Sequence, residues 1–84
     1  MIYRASIIRG YGGEPMPETV QDYPNWDTAW NYLQRIAPLY IANVDAHWWT
    51  ATDERNAPRE VRHTIDMGSR TRFGQILEIK EEWE

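Results

Sequence analysis

His47 and His63 are the two imidazoles of this chain, and imidazole can act as a general base or as a metal ligand near neutral pH. Strand-like alternation in VDAHWWTA and REVRHTIDM groups His47 with Asp45, Thr64 and Asp66 on one face of a predicted hairpin. A metal needs three or four ligands held by supporting partners, and carboxylates on adjacent strands more often just face water. No metal ligand or cofactor is therefore assigned, and a small metal-dependent enzyme stands as the second alternative. His63 falls on the opposite face, between Trp48 and Leu77, where the ordinary role is a buried, hydrogen-bonded neutral ring. Nucleophilic catalysis lacks its parts. Ser6 and Ser69 have no predicted histidine and acid partner, cysteine is absent, and Lys80 lies between Glu78 and Glu82 rather than in an apolar pocket. GYGG at 10–13 is not followed by Lys-Ser or Lys-Thr or by a helix start, so it is no phosphate loop. The chain reads as a non-enzyme.

The elements that position these residues are organised around NWDTAWNYLQRIAPLYI, residues 25–41. Trp26, Ala29, Trp30, Leu33, Ile36, Ala37, Tyr40 and Ile41 recur at three- and four-residue spacing, which puts them on one side of a helix. Asn25 or Asp27 can accept from a first-turn N–H. Pro38 has no N–H and its ring crowds the carbonyl four residues back, so the helix is expected to stop or kink near Ile36.

Residues 2–9 alternate with Tyr3, Ala5 and Ile7 inward. Pairing of 44–51 with 59–67 across a turn at DERNAP sets Trp48 opposite His63 and Ala46 opposite Ile65. Carrying the same phase through GSRTR turns Phe73, Gln75, Leu77 and Ile79 inward and leaves Ile76 and Glu78 outward. The expected fold is α+β: a two-layer β-α-β-β-β domain, one helix on a four-stranded, mainly antiparallel sheet, with a right-handed crossover permitting one parallel edge pairing.

Eighty-four residues make one domain, 1–84, with an acidic tail at 80–84 and a long Gly/Pro-rich connection at 10–24. Connections this long are either functional or packed; packing would dock Val20 and Tyr23 over the helix start. Five Trp, five Tyr and one Phe supply large buried areas to a small core. Zero Cys fits a reducing compartment, and no leader segment or apolar run of spanning length is read, so a cytoplasmic protein without membrane contact is expected. Net charge is −4, which disfavours nucleic acid without excluding it, and a nucleic-acid-binding accessory domain is the first alternative.

One helix covers one sheet face, so the other is left for a partner. The expected partner-binding residues are Trp49 with Arg62, His47 and Ile76 on that face, and Tyr11 and Glu14 in the 10–24 connection. A protein partner or a second copy of the chain fits this surface. Small cysteine-free domains without catalytic residues suit phage or mobile-element inhibitors of a host complex, an analogy of class rather than a motif.

Overall fold

A computed structural model describes residues 1–44, 51–57 and 60–80, with 51–57 described by backbone alone. The chain forms an α+β domain in which one helix packs on an open antiparallel sheet. Its elements are β1 (Ile2–Arg9), a 3-10 turn (Pro17–Thr19), β2 (Gln21–Tyr23), α1 (Trp26–Tyr40), β3 (Ala51–Ala57), β4 (Glu60–Ile65) and β5 (Arg72–Ile79). The sheet runs β2-β1-β5-β4-β3, four long strands with the three-residue β2 added at one edge. Every pairing among the described residues is antiparallel, because β1 lies beside β5 and not beside the strand that follows the helix.

The helix starts as expected. Asn25 Oδ1 accepts from the Thr28 N–H at 2.9 Å and from the Thr28 hydroxyl at 2.8 Å. It does not stop at Ile36. Pro38 sits inside its last turn, and Ile41 N–H still reaches Ala37 O at 2.8 Å, so proline removes one bond without ending the helix. Arg72 closes the helix terminus by donating from its guanidinium to Tyr40 O at 2.5 Å, a cation at the negative end of the dipole.

Ala29, Leu33, Ala37 and Ile41 are buried against Ala5, Ile7, Ile65, Met67 and Ile76, with Trp26, Trp30, Ile36 and Tyr40 partly buried around them. Tyr32 is also core, in keeping with its spacing from Ala29 and Leu33. Between Ile7 and Ile65 the sheet carries Gly74, where an added Cβ would lie 3.1 Å from Met67 Sδ and 3.3 Å from Leu33 Cδ1. The absent side chain lets Leu33 press on the sheet.

That glycine marks a correction. Gly74, Ile76 and Glu78 face the helix, while Phe73, Gln75, Leu77 and Ile79 lie on the second face, the reverse of the expected phase. The run FGQILEI has apolar residues in both phases, so alternation could not orient it; pairing with β1 does. The hairpin register is also displaced. Asp53, not Trp48, stands opposite His63, and Ala51, not Ala46, opposite Ile65. The polar stretch expected to turn is strand β3, bulged between Arg55 and Ala57, because pairing with β4 outweighs local turn preference.

The 10–24 connection is packed. Beyond β2, Ile7 N–H donates to Thr19 Oγ1 (2.9 Å), Met16 N–H to Ile7 O (2.8 Å) and Arg9 N–H to Glu14 O (3.1 Å). The segment thus satisfies the outer edge of β1 along most of its length. Thr19 Oγ1 donates onward to Met16 O (2.7 Å), and Tyr32 OH donates to Thr19 O (2.7 Å), tying connection to helix.

Burial pushes the Tyr32 phenol above its ordinary value, with Tyr23 and Tyr40 adding to the rise and Arg35 opposing it. A raised folded-state value stabilises the protein below the unfolded value, near pH 10, and that contribution is lost as pH climbs through the folded value. Tyr32→Phe should cost about 0.5 to 1.5 kcal/mol at neutral pH through the lost hydrogen bond. It should also flatten the alkaline loss of stability. Melting curves taken from neutral to strongly alkaline pH test this; parallel curves for the two proteins would rule it out.

Candidate functional site

Two surfaces gather the residues of interest. The first is the second sheet face, on which no helix lies among the described residues. Strand alternation and register place Ile2, Arg4, Ser6 and Ile8 there from β1, Phe73, Gln75, Leu77 and Ile79 from β5, and Glu60, Arg62 and Thr64 from β4. Its centre is not washed by solvent: Ser6, Ile8, Thr64 and Gln75 are buried, and Phe73, Leu77, Ile79, Arg4 and Arg62 are half-buried around them. Ser6, Gln75 and Thr64 stand side by side across three strands, and Gln75, 3% exposed, keeps a carbonyl oxygen with no hydrogen-bond partner among the described residues. At the β2 edge Arg4 holds Asp22 through two bonds of 2.7 and 3.0 Å, which hold the Asp22 carboxyl below its ordinary range. Both side chains are over two-fifths exposed, so the pair adds little to stability.

The second surface adjoins the first at the start of β5. Tyr11 is 56% exposed and meets Phe73 edge-on, ring centroids 6.2 Å apart. The loop that carries it is closely tied. Gly10 N–H donates to Thr71 O at 2.7 Å, Gly13 N–H to Gly10 O at 3.0 Å, and a Cβ on Gly13 would fall 1.8 Å from Arg9 O. Only glycine permits that approach. On the facing side, Ser69 Oγ accepts from the N–H groups of Thr71 and Arg72, and Asp66 Oδ1 from Gly68 N–H. Arg9 and Arg72 are register partners, so Arg9, Arg70, Arg72 and Tyr11 share this end of the sheet.

A third cluster lies on the helix face. His63 Nε2 is 2.6 Å from Glu78 Oε1, and Trp26 meets the imidazole edge-on at 5.0 Å. Burial, then the charge of Glu78 and a hydrogen bond to it, raises the Tyr3 phenol. His63 faces the helix as expected, but its partner is Glu78, brought there by the phase of β5. Imidazole, carboxylate and phenol in this arrangement join the helix start to three strands.

The expected site residues separate. Arg62 is on the second face, Tyr11 and Glu14 are exposed at the end of the sheet, and Ile76 is 0% exposed in the core and no part of a surface. His47, Trp48 and Trp49 lie outside the described residues, as does the tail from 81 onward. Among the described residues no three His, Cys, Asp or Glu side chains could hold a metal ion together, and no helix is long and apolar enough to cross a membrane. Phe73 was missed as a surface residue; its register partnership with Ile8, and not its alternation, reveals it. Set against protein-family profiles, curated proteins and solved structures, the chain finds no match in any of the three.

Proposed function

We propose that this chain is a non-catalytic module that binds another protein through Tyr11 and the adjoining end of the sheet at Phe73. The observation that supports it is Tyr11: an aromatic ring more than half in solvent, carried on a loop whose backbone is fastened to its neighbours. Exposed aromatics flanked by arginine are the residues that carry binding energy out of proportion to their number, and a ring held in place loses little entropy on docking. Half-buried Phe73 continues the surface beneath the Tyr11 ring. A module of this kind acts by occupying a surface, which is how an inhibitor of a larger complex works. A reducing compartment such as the cytoplasm suits a chain without cysteine.

A photo-crosslinking amino acid placed at position 11, with one at exposed Leu39 as control, tests the reading in cells that make the protein. Adducts with one or a few proteins are expected at 11 and not at 39, while both variants melt like the parent. Tyr11→Ala should keep the fold and cost about 2 kcal/mol or more in affinity for the captured protein. Equal labelling at the two positions would remove Tyr11 from the site.

A further inference from the structure

We infer that the protein surface seated on the Tyr11 corner is acidic, an inference that rests on the binding role proposed for Tyr11. The whole chain is net −4, yet at this end the register of β1 with β5 and the Gly10–Thr71 bond bring together Arg9, Arg70 and Arg72. Arg72 is committed to the helix terminus through Tyr40 O. Arg9 and Arg70 are exposed on either side of the contact between the two loops.

Among the described residues the carboxylates at the same end are Glu14 and Asp66. Asp66 accepts from Gly68 N–H inside its own turn, whereas Glu14 is exposed. Among the described residues the three arginines outnumber these two carboxylates, and an acidic patch on a partner is drawn to such a corner. A nucleic-acid strand fits less well. It is a continuous polyanion that would run past Glu14, and Tyr11 offers one stacking ring where single-strand binders line up several.

The position-11 crosslink reads this out. In the Arg9→Glu/Arg70→Glu background, checked for an unchanged melting curve, adduct yield should fall roughly tenfold at low salt, the scale of electrostatic steering. Arg70→Gln alone should give a smaller fall, Glu14→Lys a rise, and added salt should reduce the yield of the parent. The crosslinked peptide of the partner, identified by mass spectrometry, should be rich in Asp and Glu. Absence of any adduct at position 11 in the parent would defeat the binding role itself. Adducts whose yield ignores the charge reversal, peptides rich in Lys and Arg, or nuclease-sensitive adducts would leave that role or its site standing and overturn the acidic partner.

Discussion

Leu33→Ala should lower the free energy of unfolding by about 2 to 5 kcal/mol, a large share of the roughly 5 to 15 kcal/mol available to a small domain. Leu33 is fully buried at the middle of α1 and lies directly over Gly74, where the sheet offers no side chain to fill the gap. The surrounding structure can collapse only partly, because the neighbours Ala29 and Ala37 are short and Ile7, Ile65 and Ile76 are fixed on three paired strands. Thermal melting should fall by roughly 10 to 30 °C for a domain of this size. Gly74→Ala supplies a second arm. Alone it crowds Met67 Sδ and Leu33 Cδ1, but with Leu33 already truncated one of the two clashes is gone. The double variant should therefore be more stable than the two single losses predict, by on the order of 0.5 kcal/mol or more. Additive losses would mean that helix and sheet do not touch at this point.

Ile76→Ala should cost about 2 to 5 kcal/mol, and Leu77→Ala about half of that or less. The two residues are neighbours on β5 and point to opposite faces: Ile76 enters the core between Ala5 and His63, and Leu77 sits half-buried between Arg4 and Arg62. Chemical denaturation of the pair decides the strand's orientation. A larger loss for Leu77→Ala would turn β5 over and return Ile76 to the surface.

This pair also shows where reading the residues succeeded and where it failed. The helix face was legible because eight positions repeat at the helical spacing, and β1 was legible because Tyr3, Ala5 and Ile7 contrast with Arg4 and Ser6. β5 offers no such contrast. Phe73, Leu77 and Ile79 in one phase compete with Ile76 in the other, and the deciding residue, Gly74, contributes a space that no hydrophobicity pattern records. β3 was hidden for a different reason. Its residues, ATDERNA, have turn-forming chemistry, and only pairing with β4 makes them a strand. The candidate surface was half legible: Tyr11 stands out as an aromatic among glycines, but its proximity to Arg70 and Phe73 depends on β1 lying against β5, a long-range pairing that spacing cannot show.

The same long-range pairing governs the order of events during synthesis. β1 is made first, and its longest partner is β5, the last strand of the sheet. A nascent chain can offer β1 the short hairpin-like edge of β2 and the apolar side of α1 early, but the opposite edge of β1 waits until β5 has left the ribosome. Until then Ala5, Ile7 and Ile8 belong to a strand with one unpaired side, open to a chaperone or to a strand from another copy. Loop closure between β1 and β5 also slows folding relative to a domain of this size held by local contacts. Protection of β1 is thus set by the moment at which β5 becomes free to pair, a constraint that the folded surface does not display.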